Sequence, residues 1–121
     1  MAKRVLIVDD SPTIATASYD ELTDRGYDVD IAYNGKEAMA RVAETMYEII
    51  ILDIEMPKMR GDEVAEKLRA DPVTAKIPLI ALTGVSPKSM SEKSKLFNSY
   101  LVKPFGFEDM IKLVEEMIGK P

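Results

Sequence analysis

Four apolar runs of strand length, Val5-Leu6-Ile7-Val8, Ile49-Ile50-Ile51-Leu52, Leu79-Ile80-Ala81-Leu82 and Leu101-Val102, each stop at a residue able to do chemistry. The first runs into Asp9 and Asp10, the second into Asp53, the third into Thr83 and the fourth into Lys103. An unbroken apolar strand needs cover on both faces, which is the habit of parallel sheets. Laid side by side in parallel, the four runs bring their C-terminal ends to one edge, the edge where open α/β sheets bind ligands. Carboxylates gathered there repel one another unless a cation lies among them. The set points to a divalent metal and a phosphoryl group.

The segments between the runs have helical character. After the strand at 4–8, Ser11 offers an N-cap and Pro12 fits the first helical position, where its missing N–H does no harm. That helix is expected to reach about Arg25 and to stop at Gly26 in the left-handed conformation. Tyr27 to Ala32 alternates as a strand near a sheet edge does, and Asn34 with Glu37 reads as a capping box. The helix it opens carries Ala38, Val42 and Met46 on one face. Residues 48–52 form the next strand, and 55–61 form a loop. Asp62 is expected to cap a third helix with Val64, Ala65 and Leu68 inward, ending before Asp71-Pro72. A strand at 79–82 precedes a fourth helix within 87–97, with Met90 and Phe97 inward. A strand at 100–102 precedes a fifth helix opening near Phe107-Glu108-Asp109, whose acids suit the positive end of the helix dipole, with Ile111, Val114 and Ile118 inward. Strand and helix alternate five times, which gives an α/β fold: a parallel sheet with right-handed crossovers and helices on both faces.

Composition narrows the chemistry. The 121 residues make one domain, 1–121, with no linker or low-complexity stretch. The chain has no Cys and no His, which removes disulfides, thiol redox chemistry, serine-type triads and the usual zinc hydrolases. The net charge of −5 comes without a stripe of Lys and Arg, so direct binding to nucleic acid or to an anionic membrane is not expected. No signal-peptide core or membrane-spanning apolar stretch is present, so a cytoplasmic protein is the default.

Each candidate residue has an ordinary explanation when taken alone. Asp9 and Asp10 can cap a helix, Asp53 can be a polar strand end, and Thr83-Gly84 and Lys103-Pro104 can be turn dipeptides. None of these explains why all of them leave the sheet at the same edge. Hard oxygen ligands around one point suit Mg²⁺, which binds through one or two carboxylates plus phosphate. A lysine beside them balances charge and offers a point cation to a phosphate.

With that set in view, the chain resembles the receiver domain of two-component response regulators, in a single-domain, chemotaxis-regulator-like form. The resemblance is carried by Val8-Asp9-Asp10-Ser11-Pro12, by the loop Asp53-Ile54-Glu55-Met56-Pro57-Lys58-Met59-Arg60-Gly61, by Thr83, and by Tyr100-Leu101-Val102-Lys103-Pro104-Phe105. It implies a flavodoxin-like (βα)5 fold with strand order 2-1-3-4-5. It implies Asp53 as phosphoacceptor, Asp9, Asp10 and Asp53 around Mg²⁺ with the Glu55 main-chain carbonyl as a further ligand, and Lys103 on the phosphoryl group. Thr83 would turn toward the phosphate, Tyr100 would swing inward as the second switch residue, and Lys103-Pro104 would be a cis bond.

The implied donor is a histidine kinase or a phosphotransfer protein, or a small acyl phosphate. The implied readout is protein binding on the face of helix 4, strand 5 and helix 5, with no catalysis beyond the chain's own phosphorylation and dephosphorylation. The start at Met1 and the short tail to Pro121 favour a complete single-domain regulator. The Thr83–Lys103 segment is slightly short for the family, and Phe97-Asn98-Ser99 replaces its usual small residues, so an atypical output face is expected. The Glu55 side chain is expected to affect how fast the acyl phosphate is hydrolysed. Met56 and Met59 suit either adaptable partner contacts or plain packing.

Three other readings compete. A receiver fold used only as a phosphorylation-independent interaction module is opposed by the complete acidic set with Thr83 and Lys103. A small metal-dependent phosphatase with Asp53 as nucleophile lacks a cap over the substrate and an Asp-x-Asp arrangement, since Glu55 stands second after Asp53. A flavin protein is disfavoured by the acidic first turn, where a phosphate-cradling loop belongs.

Overall fold

The computed structural model describes residues 2–57, 59–84 and 95–121. Five strands, β1 (Arg4–Val8), β2 (Asp28–Ala32), β3 (Ile49–Asp53), β4 (Leu79–Thr83) and β5 (Ser99–Val102), form one sheet in the order β2-β1-β3-β4-β5. Every neighbouring pair is parallel. The described helices are α1 (Pro12–Asp24), α2 (Gly35–Glu44), α3 (Gly61–Ala70) and α4 (Phe107–Ile118). The helix expected within 87–97, with Met90, lies for its greater part outside the described residues. Phe97 is described: it is buried just before β5, its ring 6.1 Å from that of Tyr100.

Alternation along each strand divides the core in two. Leu6, Val8, Ile50, Leu52, Leu79 and Ala81 face the layer of α2 and α3, with Ala38, Val64, Ala65 and Leu68 packed on them. Val5, Ile7, Ile49, Ile51, Ile80 and Leu82 face the layer of α1 and α4, under Ala15, Leu22, Met110, Ile111 and Val114. Strands with an apolar residue at every position are thus buried on both sides, as their composition requires.

The local signals act largely as read. Ser11 Oγ accepts the Ile14 N–H at 3.4 Å, Pro12 opens α1, and Gly26 ends its turn at φ 104°. Asn34 Oδ1 accepts from the Glu37 N–H at 2.8 Å, while Glu37 reaches back to the Tyr33 N–H at 2.9 Å.

Two expectations need correction. Asp62 is not the cap of α3: Arg60 holds that position, and Asp62 lies inside the first turn, buried, accepting from Arg60 Nε at 3.2 Å and the Glu63 N–H at 3.1 Å. The helix starts earlier because Gly61 packs directly on the end of β3 and donates its N–H to the Ile54 carbonyl. Met46 does not face inward; α2 ends at Glu44 and the side chain stands 59% exposed. The packing role is the one seen for the loop methionines, Met56 being buried and Met59 lying over Gly35.

Away from the ligand-bearing edge, Arg69 ties the end of α3 to the approach to β5. Its guanidinium donates to the carbonyls of Ala75 (2.7 Å), Ile77 (2.8 Å) and Leu96 (3.0 Å), and to Asn98 Oδ1 (2.8 Å). Asn98 in turn exchanges bonds with Leu79, its N–H donating to the Leu79 carbonyl and its Oδ1 accepting the Leu79 N–H.

A Cβ on Gly61 would stand 2.2 Å from the Asp53 carbonyl oxygen. Gly61→Ala is therefore expected to destabilise the fold by about 1–3 kcal/mol, the usual penalty of overpacking. Urea unfolding reads this as a lower midpoint at an unchanged slope; an unchanged midpoint would show that the contact relaxes freely.

Candidate functional site

The C-terminal ends of β1, β3, β4 and β5 bring Asp9, Asp10, Asp53, Thr83 and Lys103 to one edge of the sheet. Asp53 is the last residue of β3 and is 2% exposed. Asp9 follows β1 and is fully buried, its N–H bonded to the Ala32 carbonyl at 3.1 Å. Its Oδ1 accepts the Ser11 N–H at 2.9 Å, the turn that an Asp two residues before a helix cap forms readily. Asp10 is exposed at the rim. One carboxylate oxygen from each of Asp9, Asp10 and Asp53 lies within 4.8 Å of the other two.

Lys103 reaches this cluster from the far side of β4. Its N–H bonds to the Thr83 carbonyl at 2.7 Å, and its ammonium lies 3.1 Å from Asp53 Oδ1. The Lys103-Pro104 peptide is cis, as expected. Burial pushes the Asp53 carboxyl up to about 6, with the Asp9 charge adding to the rise and Lys103 opposing it. Burial also raises Asp9, against the pull of the Ser11 N–H and Lys103. On Lys103, burial acts downward but is outweighed by the hydrogen bond and charge of Asp53, so the ammonium holds its proton more tightly than usual.

Asp9 Oδ2 is buried and has no hydrogen-bond partner among the described residues. A buried carboxylate oxygen left in that state is costly unless a cation completes it. The donor set is oxygen only, carries three negative charges, and opens to water at Asp10. Those properties fit Mg²⁺.

Thr83 and Glu55 form a second group beside the first. Thr83 is buried, and its Oγ1 donates to Glu55 Oε1 at 3.2 Å. The Gly84 N–H donates to the same oxygen at 2.8 Å. The Glu55 carboxylate therefore engages Thr83 and Gly84. Tyr100 is half-buried, packed with Phe97 against the core of the α2 and α3 layer. The sequence reading missed Gly84 as a donor. Its only signal was a Gly directly after a strand-ending Thr, which reads equally as turn punctuation.

The profile of the response regulator receiver domain family matches residues 5–115. A probable transcriptional regulator, ycf29, of Porphyra purpurea is 37% identical over 123 residues, covering 98% of this chain and 57% of that protein. The DNA-binding dual master transcriptional regulator RpaA of Synechocystis is 35% identical, covering 97% of this chain and 49% of that protein. The chain thus spans about half the length of these curated relatives. Among solved structures, the chemotaxis response regulator CheY4 of Vibrio cholerae superposes with a TM-score of 0.91 at 33% identity, covering 97% of this chain and 99% of that one. The response regulator TrrA of Thermotoga maritima, in complex with Mg²⁺-BeF, has a TM-score of 0.86 at 36% identity, covering 95% and 98%. The chain belongs to the receiver domain family of two-component response regulators, proteins of phosphorelay signal transduction, and has their flavodoxin-like fold.

Two expectations follow from the charges. The Asp53 carboxyl rises from 3.8 to about 6 on folding, so between those values the folded state keeps a proton that the unfolded chain has lost. Stability then falls as pH rises through that window. Asp53→Asn is expected to remove this loss, which is about 3 kcal/mol at most. Urea midpoints of the metal-free proteins from pH 4 to 7 would converge at the acid end; parallel profiles would contradict the assignment. Mg²⁺ is expected to raise the wild-type midpoint, a stabilisation of ~1.4 kcal/mol at ten times its dissociation constant. Asp9→Asn should abolish that rise.

Proposed function

We propose that Asp53 is the phosphoacceptor of a signalling switch. The observation that carries this reading is the buried Asp53 carboxylate, 3.1 Å from the Lys103 ammonium, inside an acidic cluster with one orphaned oxygen. An oxygen of Asp53 attacks the phosphorus of a phosphohistidine, in a histidine kinase or a phosphotransfer protein, or of a small acyl phosphate. With a phosphohistidine donor, the P–N bond breaks, its electron pair stays on the imidazole, and an acyl phosphate forms on Asp53. These 121 residues contain no His, so any phosphohistidine donor lies outside them.

Asp9, Asp10 and Asp53, with the Glu55 main-chain carbonyl, are the residues that would hold Mg²⁺, which supplies charge neutralisation to the phosphoryl oxygens. Lys103 balances the same charge from the protein side and keeps Asp53 ionised. Thr83 offers a hydroxyl to a phosphoryl oxygen. Hydrolysis reverses the modification: water attacks phosphorus and the Asp53 carboxylate leaves. The chain catalyses nothing else.

Phosphorylation adds roughly −1.5 to −2 charge and three acceptor oxygens. Thr83 and Tyr100 are the residues that would respond, the readout being protein binding on the face of β5, the last helix and the segment between β4 and β5. Val102, exposed on edge strand β5, belongs to that face. The segment 83–103 that was read as short for the family has its middle outside the described residues. Two relatives are named as transcriptional regulators, one of them DNA-binding. For the receiver itself, with net charge −5, we propose protein contacts rather than direct contact with nucleic acid. No helix among the described residues is long and apolar enough to cross a membrane, and a cytoplasmic setting, away from any membrane, is proposed.

Incubation with Mg²⁺ and a small acyl phosphate, followed by intact mass, tests the assignment. One phosphoryl group is expected on the wild type and none on Asp53→Asn. Lys103→Ala is expected to slow the reaction by about 10²-fold, the usual scale for removing one preorganised electrostatic partner. An equal adduct on Asp53→Asn would move the site elsewhere, and no adduct from a protein donor either would favour the phosphorylation-independent module.

A further inference from the structure

Glu55 Oε1 accepts two hydrogen bonds at once, from the buried Thr83 hydroxyl at 3.2 Å and from the Gly84 N–H at 2.8 Å. The donors are the last residue of β4 and the one after it, on a strand whose Leu82 is paired in register with Asp53 of β3. They form a small seat for an anion, one hydroxyl and one main-chain N–H converging on a point beside Asp53. A carboxylate already fills it. Lys103 feels the Glu55 charge as well as that of Asp53. An exposed glutamate bonded to a surface hydroxyl would mean little on its own. Here the hydroxyl belongs to a fully buried residue at the reacting edge, and the second donor is main chain, which cannot turn away to another rotamer.

We infer that the Glu55 side chain is an internal anion that holds the Thr83 and Gly84 donors in the unphosphorylated protein and must be expelled before they can serve a phosphoryl group on Asp53. The inference rests on the phosphoacceptor reading above. A phosphoryl group brings three acceptor oxygens of its own. Two anions cannot both use these two donors, and the charges repel at such range. Glu55 is thus a positioning residue with a sign opposite to that of Lys103: one favours the modified state, the other the unmodified state. The substitution of choice leaves the main chain intact. Glu55→Gln keeps an acceptor oxygen and removes the charge, and Glu55→Ala removes both.

The test is a titration with beryllofluoride, a phosphoryl mimic, in the presence of Mg²⁺, followed by the NMR amide resonances, with Asp53→Asn as the blank. In the metal-free proteins, the Gly84 amide is expected to shift in Glu55→Ala, reporting the lost bond without any ligand. The beryllofluoride midpoint is expected to fall by about ten-fold in Glu55→Ala, the worth of one hydrogen bond to a charged group, with Glu55→Gln in between. Equal midpoints in wild type and both variants, or weaker binding by Glu55→Ala, would overturn the inference and leave Asp53 as the phosphoacceptor. No binding by wild type or either variant would overturn the phosphoacceptor reading and this inference with it.

Discussion

The carboxyl groups of Asp9 and Asp53 stand against each other in the protein interior, and the sheet edge is organised around their repulsion. Burial pushes both toward the protonated form, and the Asp9 charge makes Asp53 harder still to ionise. The fold opposes this with the Ser11 N–H on one side and the Lys103 ammonium on the other. An apolar pair in their place would make a more stable protein, since buried charges seldom repay their desolvation. A cation placed among these carboxylates would relieve at one stroke what the protein relieves only in part. Stability given up at the edge is recovered in the sheet beneath it, where β1, β3 and β4 are apolar on both faces.

That division explains what the sequence displays openly. Strands buried on both faces have to be unbroken apolar runs, so β1, β3 and β4 are visible in composition alone. Asp9, Asp53, Thr83 and Lys103 stand out because each interrupts such a run. The caps of α1 and α2 are legible for a related reason: Ser11-Pro12 and Asn34 with Glu37 are local bonds, made within a few residues of chain. The start of α3 is different. Asp62 has the chemistry of a cap, yet the helix begins earlier because Gly61 must lie against the Asp53 carbonyl, a contact between parts of the chain that sequence does not place together. Met46 fits the helical period of α2 but falls beyond its end, since periodicity says which face a residue would take and not where the turns stop. The grip of Glu55 on Thr83 and Gly84 spans nearly thirty positions and was invisible for the same reason.

The two core layers give the site two kinds of support. Asp9 and Asp53 are held by strands clamped between helices, whereas Asp10 and the Glu55 side chain lie in exposed connections. The buried carboxylates are therefore on rigid elements, and the exposed acids are on loops. Gly61 joins the two kinds by tying the loop after Asp53 back onto the strand that carries it.

The connection from β4 to β5 is met at its two described ends by different side chains. At Thr83 and Gly84 the exposed Glu55 carboxylate accepts from both residues, and at residues 96–98 Arg69 makes two bonds directly and binds the adjoining 75–77 turn with two more. Asn98 is laced to Leu79 on top of that. Phe97, with the Tyr100 ring packed 6.1 Å from its own, therefore lies beside backbone that is anchored to α3 and to β4 at once.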